Sequence, residues 1–322
     1  MPFSIPSTIR SIKALLRWEH WYDSKLPLFF VLGYTLLSRT GLNWNTFIIC
    51  LRLLGFAAFF LALGYAANDF SDRAVDHRAG KSNAMRQLPE PVAIGSLVFL
   101  FLLGLACLPY KTPSALALAG LAYFFGLFYS LPPLRFKERR ACGLLAAAAA
   151  QRSLPALLFF DAFGAWGLDS LLFCTLYLFI GLRGILGHQI WDREHDLQTG
   201  VHTYATEHPI DRLHRLLKLI FLIEAGLLAG LVSYQARTLA GLPALLGAYL
   251  VWLSLQIFRR WRKGLPISPY TPPWLPMHGF YFIVWPVGLA VSLALRQPLF
   301  WFVVILNLFW QQWGIRQEWA VL

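Results

Sequence analysis

Apolar segments recur along this chain of 322 residues, and many of them approach the length that crosses a bilayer. A helix needs about 20 consecutive apolar residues to span the hydrocarbon core. The polar stretches between the segments are too short to fold alone, so the sequence predicts one all-α, polytopic membrane domain over residues 26–322. The ten candidate spans are Leu26–Leu37, Thr46–Ala67, Val92–Leu108, Ser114–Tyr129, Gly143–Phe160, Leu171–Ile190, Leu216–Tyr234, Leu242–Phe258, Phe280–Leu295 and Leu299–Trp313.

The composition supports this interpretation. Hydrophobic residues make up 57% of the chain and charged residues 14%, and the mean hydropathy is +0.55. These values exclude an ordinary water-soluble enzyme. The net charge of +12 comes from short loops, where basic residues set orientation in the membrane and do not indicate a nucleic-acid surface. The sequence predicts a membrane-lipid environment, no nucleic-acid partner and no protein partner.

The basic residues also predict the orientation of the chain. Alternating the loops places 21 of the 28 Lys and Arg on one side and 4 on the other, with Arg52, Arg152 and Arg183 inside spans. The basic side is therefore predicted to be cytoplasmic, in a bacterial-type inner membrane. Residues 1–25 carry no signal-peptide pattern and are predicted to form a cytoplasmic amphipathic helix at the membrane surface.

The second span ends in an acidic motif with a spacing of four residues. Asn68, Asp72 and Asp76 would share one face if the helix continues, and Asp69 lies beside them. Like charges at this spacing repel, so a hard cation is the natural compensation. Carboxylate and amide oxygens suit Mg²⁺, which also binds substrate phosphates.

The sixth span ends in a similar motif formed by Asp192 and Asp196. The equivalent positions of the two motifs indicate two pseudo-repeated halves, over about residues 26–130 and 142–258, with further C-terminal helices. Two facing motifs could hold a diphosphate through bridging metals. Two other interpretations remain open: the acids are solvated helix ends, or the histidines after the sixth span form a metal-binding box.

A basic stretch follows the fourth span, between the two acidic motifs. Tyr129, Arg135 and Lys137 are candidates for a phosphate clamp, since prolines end the helix and direct cations toward the interface. Arg139 and Arg140 are interpreted as ordinary loop charge.

These residues resemble the UbiA superfamily of intramembrane prenyltransferases. Three features match in order and spacing. They are the element Asn68-x-x-x-Asp72-x-x-x-Asp76, the stretch from Tyr129 to Lys137 that reads Tyr-Ser-x-Pro-Pro-x-Arg-x-Lys, and Asp192-x-x-x-Asp196 followed by Gly200.

The resemblance implies a bundle of nine or ten transmembrane helices around a lipid-open central cavity. It implies that Mg²⁺ and an isoprenyl diphosphate bind at two Asp-rich motifs and that the prenyl group is transferred to a small-molecule or lipid acceptor. By this resemblance one metal would be held by the first motif and the other by the second, with Asp72, Asp76, Asp192 and Asp196 as the catalytic acids. The diphosphate would be bound by Arg135, Lys137 and Tyr129, with Arg73 as a further candidate.

Other residues depart from the family pattern or stand alone. His202 replaces the lysine that the family often has after the second motif, and Lys25 lies at the entry to the first span. Both are further candidates for binding the anionic diphosphate. His188, Arg183 and Arg152 are candidates for contact with the acceptor or with a ligand Asp, because charged groups inside spans are costly to bury without a role.

The leading hypothesis is an Mg²⁺-dependent prenyltransferase. A terpene cyclase and a polyprenyl-phosphate phosphoribosyltransferase are alternatives on the same scaffold. A cation-coupled transporter is the hypothesis from another class, with Glu224 as the acid inside a span.

Overall fold

The fold is that of a computed structural model, which describes residues 12–78, 80, 83–237, 239, 241–264 and 277–320. The described residues form helices and loops and contain no strand. The long helices are α1 (Leu26–Thr40), α2 (Trp44–Ser71), α3 (Glu90–Cys107), α4 (Pro113–Phe128), α5 (Arg140–Phe163), α6 (Leu168–Thr199), α7 (Ile210–Gln235), α8 (Gly241–Arg262), α9 (Phe280–Arg296) and α10 (Trp301–Ala320).

Each predicted span lies on one of these helices, apart from one or two end residues. Six of the described helices, α2, α3, α5, α6, α7 and α8, are long and apolar enough to cross a membrane. The shorter apolar helical segments are α1, α4, α9 and the stretch Pro298–Gln311, which includes the first part of α10. The protein is therefore a multi-pass membrane protein, and a count of nine or ten crossings stays a prediction.

Local sequence signals set several helix starts. A capping box between Asn43 and Thr46 begins α2, and the Thr112 side chain accepts from the Ala115 amide at the start of α4. Within α5, a π turn over Ala149–Ser153 interrupts the α-helical hydrogen bonding. Such turns redirect side chains inside an otherwise regular helix.

The helices close into a bundle. Helix α2 packs on α3, α4 on α5, α5 on α6 and α6 on α7, while α9 returns to pack against α1. Buried aromatic rings join two further pairs of helices, since Phe29 of α1 stacks on Phe159 of α5 and Phe173 of α6 stacks on Trp285 of α9. The core is thus built mainly of apolar packing between neighbouring helices.

Two helices are longer than a bilayer requires. Helix α6 has 32 residues and α2 has 28. At 1.5 Å per residue these helices are about 48 and 42 Å long, against a hydrocarbon core of about 30 Å. Their C-terminal turns, which carry the two acidic motifs, therefore have room to project beyond the apolar layer.

The segment before α1 is helical only over its first described residues, 12–15. A short 3-10 helix over Trp18–His20 follows Arg17, which has a left-handed backbone, and turns continue to Lys25. Trp21 is buried, and Trp310 of α10 donates through Nε1 to the carbonyl of Tyr22, so this end of the segment packs on the bundle. Residues 1–11 lie outside the described part, and the amphipathic surface helix over residues 1–25 stays a prediction.

Candidate active site

The first acidic motif sits where α2 ends. The backbone amide of Asp72 donates to the carbonyl of Asn68 at 3.0 Å, and the amide of Asp76 donates to the carbonyl of Asp72 at 2.8 Å. Asp72 itself has a non-helical backbone and ends α2. The hydrogen bonds nevertheless keep the helical i to i+4 pattern into the short helix Arg73–Arg78 that follows. The three side chains keep the common face that their spacing predicts.

A lysine from the loop after α4 reaches this motif. The Nζ of Lys137 lies 2.5 and 2.6 Å from the two carboxylate oxygens of Asp72, and 3.3 Å from the Oδ1 of Asn68. Only 9% of Lys137 is exposed, so its ammonium group is largely held by these oxygens. Arg135 adds a second cation, with Nη2 at 3.7 Å from Asp72.

The loop is fixed by hydrogen bonds that the sequence analysis did not predict. Ser130 donates through its hydroxyl to Asn68 Oδ1 at 2.7 Å, and Ser71 donates to the carbonyl of Ser130 at 2.7 Å. The Lys137 amide donates to the Tyr129 carbonyl at 2.9 Å. The only sequence signal for these roles was the serine within the Tyr-Ser-x-Pro-Pro stretch. These contacts position Lys137 against α2.

Replacing Gly143 by alanine is expected to displace this lysine. A Cβ at Gly143 of α5 would lie 2.4 Å from the carbonyl oxygen of Phe136 and 3.2 Å from the Cα of Lys137. Overpacking of this kind costs about 1–3 kcal/mol and exceeds the gain that alanine brings to a helix. Gly143→Ala should therefore melt at a lower temperature in detergent than the wild type.

Gly120→Ala in α4 is the matched control, because its Cβ would meet no atom within 4 Å. It should leave the melting temperature unchanged or raise it. Equal melting temperatures for Gly143→Ala and Gly120→Ala would contradict the close approach of α5 to the lysine loop.

The other two acids of the first motif have separate partners. Asn83 donates through Nδ2 to Asp76 Oδ2 at 2.7 Å and to the carbonyl of Asp69 at 2.8 Å. Asp69 is 3% exposed and faces Arg17, whose Nη1 lies 3.6 Å from its carboxylate. Asp69 is thus held by the N-terminal segment, while Asp72 is held by the lysine loop. Asn83 was not predicted from the sequence.

The second acidic motif lies on the last turns of α6, which ends at Gly200 with a positive φ of 71°. The Nδ1 of His188 lies 3.3 Å from a carboxylate oxygen of Asp192, as the candidate role of His188 beside a ligand Asp requires. Tyr129 lies at the start of the lysine loop, where its carbonyl accepts from the Lys137 amide.

Two other predicted diphosphate ligands, Arg73 and His202, lie apart from Lys137 and Arg135. The guanidinium of Arg73 stacks over the Phe70 ring at 4.1 Å, and its Nε and Nη2 have no hydrogen-bond partner among the described residues. His202 is exposed on the loop after α6. Both residues lie next to the acidic motifs in sequence, but neither contacts the Lys137 cluster in the described part of the chain.

Arg183, predicted as a candidate for contact with the acceptor or with a ligand Asp, pairs with Glu224 in this structure. Its Nε and Nη2 donate to the two carboxylate oxygens of Glu224 at 2.6 and 2.9 Å, and both side chains are buried. A bidentate pair of this kind satisfies both groups. Arg183 therefore joins α6 to α7. Arg52, also inside a span, donates to the carbonyls of Ala106 and Leu108 at the end of α3.

The donor set fits Mg²⁺. The described residues contain no group of three or more His, Cys, Asp or Glu that could enclose a metal. Each motif does offer amide or carboxylate oxygens, which are hard donors. Mg²⁺ is usually bound by one or two carboxylates together with waters and substrate phosphates, so a complete protein cage is not required.

Comparison with known proteins identifies the family. Residues 26–271 match the sequence model of the UbiA prenyltransferase family. The chain belongs to the UbiA prenyltransferase family. No curated protein matches it by sequence.

Solved structures of UbiA proteins have the same fold. A UbiA homologue from Archaeoglobus fulgidus, bound to DMAPP and Mg²⁺, aligns with a TM-score of 0.62 and 19% identity, covering 88% of this chain and 97% of that chain. The same homologue bound to GPP and Mg²⁺ gives 0.63 and 19%, with 88% and 98% coverage. A structure reported for digeranylgeranylglyceryl phosphate synthase gives 0.50 and 16%, with 93% and 96% coverage. At these identities the likeness establishes the UbiA fold.

Proposed function

We propose that this UbiA protein transfers an isoprenyl group from an isoprenyl diphosphate to an aromatic or lipid acceptor within the membrane and releases diphosphate. One observation carries the proposal. The ammonium group of Lys137 contacts Asp72 and Asn68. A cation that can bind phosphate therefore lies next to oxygen atoms that can bind Mg²⁺. The A. fulgidus homologue, bound to DMAPP or GPP together with Mg²⁺, supports the same substrate class.

Asn68, Asp72 and Asp76 would hold one Mg²⁺, and Asp192 and Asp196 a second. Bound there, the metal ions would neutralise the negative charge that develops on the departing diphosphate.

The chain's own cations would orient the diphosphate between the motifs. Lys137 and Arg135 lie together beside Asp72, and phosphate oxygens offer them acceptors of the same kind as the carboxylate. Tyr129, at the start of the same loop, would add a hydroxyl donor. Because Lys137 is mostly buried, water competes little for its donors, and each charge-assisted hydrogen bond is stronger than at an exposed site.

We place the acidic motifs on the cytoplasmic side of the inner membrane, on the strength of the 21 basic residues assigned to that side. The pairing of Glu224 with Arg183 favours a structural role for this acid over the binding of a coupling ion, because the guanidinium already balances its charge.

The test of the function is diphosphate release by the purified protein in detergent, with Mg²⁺ and geranyl, farnesyl or geranylgeranyl diphosphate. Release that requires an added acceptor supports prenyl transfer. Rapid release without acceptor, with a cyclised product, would instead indicate a terpene cyclase. No binding of any of the three diphosphates, with or without Mg²⁺, would contradict the proposal.

Replacing Lys137 by methionine is expected to weaken the binding of geranyl diphosphate about 10- to 100-fold. The change removes a charge-assisted hydrogen bond worth about 1.5–3 kcal/mol while keeping most of the side-chain volume. Titration with Mg²⁺ present measures the effect. Arg139→Gln is the control, because Arg139 is exposed and donates to the carbonyl of Leu134. Equal losses in the two variants would show that only overall loop charge matters.

A further inference from the structure

Helix α8 ends in a group of basic residues, Arg259, Arg262 and Lys263, which we call the α8 cations. All three side chains are exposed. The amide of Lys263 donates to the carbonyl of Arg259 at 3.2 Å, so the helical pattern continues as far as Lys263, and Gly264 follows with a positive φ of 64°. The α8 cations therefore lie within one turn of each other, at the end of α8 that is predicted to be cytoplasmic.

The protein offers these cations no carboxylate partner. Among the described residues, none of the three forms an ion pair. The sequence contains no Asp or Glu between Glu224 and Glu318, so the loop after α8 has no acid to supply either. Like charges three or four residues apart on a helix repel each other. A negative charge from outside the chain would therefore stabilise this end of α8.

An exposed apolar stripe on α8 leads to the same cations. The stripe consists of Val251, Leu255 and Phe258, which are 63%, 51% and 51% exposed, and Arg262 is the next residue on that face. Trp261 is also exposed, and its ring lies 5.9 Å from that of Phe258. Tryptophan is typical of the level at which lipid headgroups meet water. The stripe thus places acyl chains and headgroups of lipid on one face of α8.

Helix α3 shows that a lipid-facing stripe does not have to end in cations. Only 17% of the apolar segment is buried in α3, as in α8, and Ile94, Val98 and Leu102 form a similar exposed stripe. The residue one turn before Ile94 is Glu90, which is exposed as well. Because successive helices alternate in direction, Glu90 and Arg262 are predicted to lie on the same side of the membrane. Two similar stripes therefore end in opposite charges on that side.

We propose that the α8 cations bind the headgroup of an anionic phospholipid, whose acyl chains lie along the α8 stripe. Guanidinium groups bind phosphate oxygens through charge-assisted hydrogen bonds, and a basic cluster beside a membrane-spanning helix attracts anionic lipid. The lipid supplies the negative charge that this part of the chain lacks. The site lies on a different helix from the two acidic motifs, and the proposal does not depend on prenyl transfer.

The test is a titration of the full-length protein in a neutral detergent with dioleoyl phosphatidylglycerol and, separately, with dioleoyl phosphatidylcholine. Native mass spectrometry counts the bound lipid. The two lipids share their acyl chains and a phosphate and differ in net charge. At low salt we expect the wild type to bind the anionic lipid about 10- to 100-fold more tightly, the size expected for three cations near a charged surface. Salt at about 1 M should remove most of this preference.

A triple variant removes the α8 cations together. Arg259→Gln with Arg262→Gln and Lys263→Gln should bind the two lipids equally. Its melting temperature in detergent without lipid should match that of the wild type, because the three side chains are exposed and surface substitutions change stability little. Arg259→Lys with Arg262→Lys keeps the charges and should keep most of the preference.

The matched control removes the same charge from α7. Arg212→Gln with Arg215→Gln and Lys218→Gln changes three exposed cations at the predicted cytoplasmic end of α7, where Asp211 is adjacent. This variant should keep the preference for the anionic lipid.

Three results would overturn the lipid site. The first is equal binding of the two lipids by the wild type at low salt. The second is an equal loss of preference in the α7 and α8 triple variants, which would show that only the total charge on that side matters. The third is binding of glycerol phosphate as tight as that of phosphatidylglycerol, which would indicate a site for a free phosphate ester that makes no use of the acyl chains.

Discussion

Asp192→Asn should slow Mg²⁺-dependent diphosphate release by about two to three orders of magnitude while leaving the protein folded. If the second motif holds a metal, removing one carboxylate charge forfeits part of the electrostatic stabilisation of the transition state. A loss of about 3–4 kcal/mol corresponds to that change in rate.

The fold should tolerate this substitution because Asp192 is half-buried and its single ion-pair contact is His188, which is itself 67% exposed. Exposed pairs of this type contribute about 0–1 kcal/mol to stability. The melting temperature of Asp192→Asn should therefore match that of the wild type within a few degrees.

Glu194→Gln is the matched control for Asp192→Asn. Glu194 is exposed on the same turn of α6 and belongs to the same acidic stretch. It should keep the wild-type rate and the wild-type Mg²⁺ dependence, whereas Asp192→Asn should also require more Mg²⁺ for half-maximal release. Equal rates for the two variants would remove Asp192 from the metal site.

The helices were predictable because the signal for them is local. Apolar runs bounded by prolines, glycines and charges mark all ten, since each helix that contacts lipid must be apolar over most of its length. The continuation of the first motif past Asp72 also followed from spacing alone, because a period of four residues has a clear physical meaning only in a helix.

The partners of the site residues were not predictable in the same way. Ser130 reaches Asn68, which lies 62 residues earlier, and Gln151 reaches Lys25, which lies 126 residues earlier. Such contacts depend on which helices pack together, and no local pattern encodes that. The sequence therefore marked Lys137 and Lys25 as candidate cations, but it could not show that Lys137 contacts the first motif while Lys25 contacts Tyr65 and Gln151.

The packing of the aromatic residues before α1 was not predictable from the local pattern either. Trp18 and Trp21 contact each other at a ring distance of 5.0 Å, and Trp18 also contacts Trp310 of α10 at 5.2 Å. Burial of these large rings depends on a helix almost 300 residues later in the chain, which the spacing of residues before Lys25 does not encode.

Breaking the buried pair between α6 and α7 should have the largest effect on stability. Arg183→Met leaves the Glu224 carboxylate without its partner, and Glu224→Gln leaves the guanidinium without its counter-charge. An uncompensated buried charge costs about 3–5 kcal/mol. Each single variant should therefore unfold at a markedly lower temperature in detergent than the wild type.

The double variant Arg183→Met with Glu224→Leu separates the charge effect from simple loss of contacts. Replacing both partners by apolar groups of similar size removes the desolvation cost along with the attraction, so the double variant should recover most of the stability that either single variant loses. The double-mutant cycle then gives a large coupling energy between the two positions. If the losses instead add, with the double variant less stable than either single one, α6 and α7 are held by apolar packing and the ion pair contributes little.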